Sequence, residues 1–76
     1  MRERLKALVA AELELPIDRI TDAAGAETLE AWDSLGHLKV ILAVEQAFDV
    51  RFSTAEIPEV ASLELLLAAL AGREAR

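Results

Sequence analysis

Trp32-Asp33-Ser34-Leu35-Gly36-His37-Leu38 marks the start of a helix near the middle of the chain. Asp33 and Ser34 are both good N-cap residues, because a short side-chain oxygen accepts from an unpaired N–H of the first turn. Apolar residues then recur at Leu35, Leu38, Ile41, Leu42 and Phe48, with the polar Glu45 on the same stripe, close to helical spacing. The reading is a helix from about Ser34 to Phe48 that Asp49 brings to an end. A serine hydroxyl at its head stands in solvent, at the positive end of a helix dipole, with backbone donors close by. Those features suit a site that receives a phosphate group.

Downstream, Val50 and Arg51 make a short connection and Phe52 turns into the core. Ser53-Thr54-Ala55-Glu56 has the capping-box pattern, which predicts a short third helix over Thr54 to Ile57, stopped by Pro58. Ser62 caps a last helix with Leu63, Leu66, Leu67 and Leu70 on one face. Gly72 suits a helix-closing position, and Arg73 to Arg76 read as a frayed tail.

Upstream, Leu5, Leu8, Val9, Leu13 and Leu15 fall near one stripe of a helix from Arg2 to Leu15, and Glu12 is its polar member. Arg2, Glu3, Lys6 and Ala10 lie on the other side, and Pro16 ends the segment. From Pro16 to Asp33 the periodicity breaks into a long ordered loop, with Ile17, Ile20 and Leu29 as apolar pins and a helical turn around Asp18 to Thr21. A loop this long is often functional. The expected architecture is one all-α domain over residues 1–76. It is an antiparallel four-helix bundle of three long helices and one short third helix.

Composition narrows the function. The 76 residues contain no cysteine, which excludes disulfides and thiolate metal sites, and the single histidine cannot build a zinc site unaided. No run is long enough to span a bilayer and no signal-peptide pattern opens the chain, so a cytoplasmic protein without membrane insertion is expected. The formal charge of −6 disfavours nucleic acid and favours basic protein partners, or serves solubility alone. No large surplus apolar face is evident, so the expected state is a monomer.

Ser34 weighs differently under three readings. As an enzymatic nucleophile it needs a base held by a third group. His37 lies on a neighbouring face of the same helix, but Asp33 points elsewhere and so small a bundle offers no deep cleft. As a mere helix cap it needs nothing further. The third reading comes from the whole chain, which resembles the acyl carrier protein family. The resemblance rests on Asp33-Ser34-Leu35 at the head of a helix ending Glu45-Gln46-Ala47-Phe48-Asp49. It continues through Phe52, Glu56, Ile57 and Val60 into the Leu-rich last helix.

That resemblance implies a four-helix, non-catalytic carrier. Ser34 would be esterified to 4′-phosphopantetheine, donated by coenzyme A through a phosphopantetheinyl transferase with Mg²⁺. The arm's thiol would then hold acyl or aminoacyl thioesters, loaded by a ligase and presented to acyltransferases or synthases. The missing cysteine agrees, since thioester chemistry here needs an imported thiol. By resemblance, Asp33 positions the Mg²⁺ or contacts the transferase, and Leu35 anchors partners. Glu45, Asp49 and Glu56 would face basic patches, although each also reads as part of a solvated surface, and Asp33 equally as a cap.

The fatty-acid-synthesis type carries acidic residues where this chain has Gly36 and Lys39. The run is more similar to free-standing carriers of specialised pathways. Trp32 reads as framework in preference to a contact with the arm. Histidine is the side chain suited to report on pH near neutrality, but a lone exposed histidine on a helix, as His37 reads, usually has no special role. A fatty cargo would need an apolar slot lined by residues such as Leu42, Phe52, Ile57 and Leu67, whereas a polar cargo needs none. An unmodified helical adaptor that only binds proteins is the alternative function.

Overall fold

The computed structural model describes residues 1–74, with Glu74 described by its backbone alone. Among the described residues there are three α-helices and no named strand: α1 (Arg2–Leu13), α2 (Ser34–Phe48) and α3 (Leu63–Glu74). Two single 3₁₀ turns, Ile17–Arg19 and Ile57–Glu59, sit in the connections. Among the described residues, no helix is long and apolar enough to cross a membrane.

The expected third helix is absent as an α-helix. The capping box does form: Ser53 N–H donates to Glu56 Oε1 at 2.8 Å, and Glu56 N–H donates to Ser53 Oγ at 3.2 Å. Its chain then runs straight into Ile57-Pro58. A residue before proline avoids α-helical angles, and proline has no N–H to give, so one turn forms and tightens into 3₁₀. Pro58 lies inside that turn and does not terminate a helix.

α1 and α2 run antiparallel. Arg4, at the start of α1, donates from Nη2 to the Ala47 carbonyl near the end of α2 at 2.7 Å, while Leu13 lies against Gly36 at the other end. The Arg4 guanidinium also lies 4.4 Å above the Phe48 ring centroid, placing a cation at the negative end of α2. Arg2 bonds Glu64, so the starts of α1 and α3 lie together. Lys6 and, more weakly, Arg2 hold the Asp22 carboxyl below its ordinary value and tie the long loop to α1.

Leu5, Val9 and Leu13 of α1 are buried, as the stripe predicts, and so is Ala10, which the stripe places on the other side. α1 stops two residues early. Glu14 adopts left-handed φ of 58°, and Leu15 N–H reaches back to the Ala10 carbonyl at 2.9 Å. Asp49 closes α2 in the same way, at φ 53° with Val50 N–H on Glu45 O.

The long loop is pinned by Ile20, Ala24, Leu29 and Trp32, all buried, whereas Ile17 is 48% exposed. Its middle is locked to the segment before α3: Ala26 N–H bonds the Ala61 carbonyl, and Leu63 N–H bonds the Ala24 carbonyl. A Cβ at Gly25 would lie 2.9 Å from Ala61 O, so only glycine allows that approach.

Ser62 caps α3 through Oγ, which accepts from Leu65 N–H at 3.1 Å, and Leu63, Leu66 and Leu70 are buried. Gly72 does not close the helix, which continues through Glu74. Arg73 is held, not frayed. Its guanidinium lies 4.5 Å from the Phe52 ring centroid and donates to the Ala69 and Arg51 carbonyls and to Glu56. Ala75 and Arg76, the rest of the expected tail, lie outside the described residues.

Candidate functional site

The site begins with the cap of α2. Asp33 sits in extended backbone, φ −91° and ψ −169°, and its Oδ1 accepts from Gly36 N–H at 2.8 Å. Asp33 is therefore the cap, and Ser34 is the first helical residue. Ser34 is exposed, and its hydroxyl makes no hydrogen bond among the described residues. The backbone N–H groups of Ser34 and Leu35 likewise find no partner there, because the first intrahelical bond is His37 N–H to Asp33 O at 2.8 Å. An exposed oxygen beside unpaired N–H groups at a helix's positive end is an environment that favours an anionic group.

Two residues that sequence reasoning undervalued build this geometry. Gly36 is buried, and a Cβ there would sit 2.4 Å from Ala31 O and 2.9 Å from Leu13 Cδ2. The first turn of α2 is pressed against the end of the loop and against α1, so no side chain fits. A glycine in a first helical turn, where a better helix former would be expected, was the available signal. His37 is the second. It is half-buried, not exposed, and its Nδ1 accepts from Trp32 Nε1–H at 2.9 Å. Its Nε2 lies 2.6 Å from the Ile57 carbonyl. The indole has only a donor, so Nδ1 is the acceptor and Nε2 carries the hydrogen given to Ile57. Trp32, buried and stacked at 28° on the imidazole, is framework. With both ring nitrogens engaged, His37 presents no free base to Ser34.

α2 buries only part of the stripe that the apolar spacing suggested: Ile41 is buried and Phe48 packs partly buried against the core. Gly36, Val40, Ile41 and Val44 face inward, while Leu35, Leu38 and Leu42 are 64%, 47% and 55% exposed. A contiguous apolar stripe therefore runs down the outside of α2 from Ser34, with the exposed Lys39 beside it. Of the residues named for an apolar slot, Leu42 lies on the surface and Phe52 in the core, while Ile57 and Leu67 are partly buried against it.

The acidic candidates are not brought together. Only Asp33 adjoins Ser34. Asp49 is exposed at the far end of α2, about 22 Å away at 1.5 Å rise per residue. Glu45 accepts from Phe52 N–H at 2.9 Å and fixes the chain leaving α2. Glu56 is held by Ser53 N–H and by Arg73 at 2.7 Å, which together keep its carboxyl below the ordinary value. Among the described residues, no group of three or more His, Cys, Asp or Glu is placed to hold a metal ion. No family model matches the chain, and no curated protein matches it.

Proposed function

We propose that this chain is an acyl carrier protein whose Ser34 oxygen receives 4′-phosphopantetheine from coenzyme A, by the action of a phosphopantetheinyl transferase with Mg²⁺. The observation that carries the proposal is the hydroxyl of Ser34: exposed, unbonded and fixed at the head of α2 by the Asp33 cap and the packing of Gly36. In the transfer, the Ser34 oxygen bonds the phosphorus that bears the pantetheine as that phosphorus loses its bond to the bridging pyrophosphate oxygen; adenosine 3′,5′-bisphosphate leaves on that oxygen, and the hydroxyl proton passes to a base of the transferase. Ser34 and Leu35 N–H groups then face the new phosphoester. Once attached, the arm supplies the thiol that this cysteine-free chain lacks, to hold acyl or aminoacyl groups as thioesters.

The chain's own residues orient and present that arm. Asp33 closes the helix start and keeps the serine at its rim. Leu35, with Leu38 and Leu42 below it, offers partner enzymes an apolar strip beside the attachment point. Because Gly36 can bear no side chain and Lys39 is basic, the face beside the attachment point lacks the acidic residues that the fatty-acid-synthesis type carries there. That supports service to a specialised pathway. In the four-helix scheme of such carriers, the 3₁₀ turn Ile57–Glu59 takes the place of the short third helix. The engaged imidazole of His37 argues against a Ser34–His37 hydrolase.

Coexpression with a broad-specificity transferase is expected to add one phosphopantetheine mass, read by intact mass spectrometry, and Ser34→Ala is expected to abolish the addition. An unmodified wild-type chain from a competent host would sink the proposal. The exposed stripe on α2 also suits an adaptor that binds proteins without modification. In that case Ser34→Ala would leave function intact.

A further inference from the structure

Trp32 is the chain's one tryptophan and is 1% exposed, so its indole N–H must be met inside the protein. It is met by His37 Nδ1 at 2.9 Å, while His37 Nε2–H is given to the Ile57 carbonyl at 2.6 Å. One imidazole thus ties three pieces of chain: the loop entering α2, the first turn of α2 and the second 3₁₀ turn. The arrangement requires the neutral ring. A second proton can bind only at Nδ1, whose lone pair the indole is using. An Nδ1–H would then face the indole N–H, donor against donor, and leave a buried donor without an acceptor.

We infer that the Trp32–His37–Ile57 relay is a proton-operated latch. Neutral His37 clamps the loop and the 3₁₀ turn onto the head of α2, and protonated His37 releases Trp32 and loosens the approach to that helix. The inference stands on the relay geometry and is independent of what Ser34 carries. The charged groups flanking the relay are accounted for. Asp33 on the loop side caps Gly36, and Glu56 holds Ser53 N–H and Arg73. Glu59, beyond Ile57, and Lys39 on α2 are exposed, and α1 offers the uncharged Leu13 at this end. None of the charged side chains bonds to the imidazole.

The test is an NMR titration of ¹⁵N-labelled protein from about pH 8 to about pH 5, a range in which imidazole titrates while most carboxylates stay ionised. At the alkaline end His37 is expected as the Nε2–H tautomer. As it takes its second proton, the Trp32 indole resonance should move upfield with the same midpoint, and its solvent exchange should speed by about tenfold or more. His37→Gln supplies an acceptor and a donor that do not titrate, so its indole resonance should stay flat. An Nδ1–H tautomer at pH 8, a ring still neutral at pH 5, or an indole signal that ignores His37 protonation overturns the latch. So does an indole shift that persists in His37→Gln. If the variant does not fold, the two wild-type midpoints decide alone: coincidence supports the latch and divergence refutes it.

Discussion

Replacing Gly36 by alanine should lower stability, although helix propensity argues for the opposite sign. In an open helix interior, glycine to alanine gains about 0.5–1 kcal/mol. Here the new Cβ would lie 2.4 Å from the Ala31 carbonyl oxygen, where real Cβ contacts essentially never fall under 3.0 Å, so backbone must move by at least the 0.6 Å difference. The obstruction is a main-chain oxygen, which cannot rotate away, and Leu13 Cδ2 at 2.9 Å closes the other side. Overpacking of this kind costs about 1–3 kcal/mol, so the midpoints of cost and gain leave a net loss of about 1 kcal/mol, with extremes of about 0–2.5 kcal/mol. For a domain this size a loss of about 1 kcal/mol is a fall in Tm of about 4–8 °C. Thermal and urea unfolding followed by circular dichroism would measure it. Gly72→Ala is the internal control, since nothing described lies within 4 Å of its added Cβ, and it should raise stability by about 0.5 kcal/mol. If Gly36→Ala proved as stable as wild type or more so, the close packing of the α2 head would be wrong.

Neighbouring residues on α2 test which face is buried: Ile41→Ala should cost about 2–5 kcal/mol, and Leu42→Ala should stay within about 0.5 kcal/mol, by urea unfolding. Equal losses would contradict the face assignment. Removing the cap with Asp33→Ala should cost about 1 kcal/mol, whereas Ser34→Ala, one residue on, should leave Tm almost unchanged. The Glu56 carboxyl lies below its ordinary value of 4.5 in the folded chain, through Ser53 N–H first and Arg73 second. The unfolded chain therefore binds the extra proton, so this contribution is complete above about pH 4.5 and is lost as pH falls through the lower folded value. Glu56→Gln should flatten the acid side of the stability–pH curve, and an unchanged slope there would refute the assignment.

Helix limits were legible where the cap is local. The side chains of Asp33 and Ser62 set the starts of α2 and α3, and the left-handed backbone at Asp49 ends α2, because caps depend on residues within one turn. The serine at the head of α2 was visible for the same reason. The burial of α2 was not, since its apolar residues run almost all round: Leu35, Leu38 and Leu42 keep helical spacing as well as Val40 and Val44 do. The face that α1 and the loop cover is fixed by contacts distant in sequence.

Sequence alone determined an all-helical chain, a capped helix beginning at an exposed serine, and a composition without a thiol. Tertiary structure decided the remainder: the glycine that lets α2 press against Ala31, the imidazole that joins Trp32 to Ile57, and the arginine that pins the last turn to Phe52 and Glu56. It also reduced a well-formed capping box to a single 3₁₀ turn. The division follows from range. A cap or a helix period is written in residues a few positions apart, whereas a close approach or a relay exists only once distant segments have been brought together.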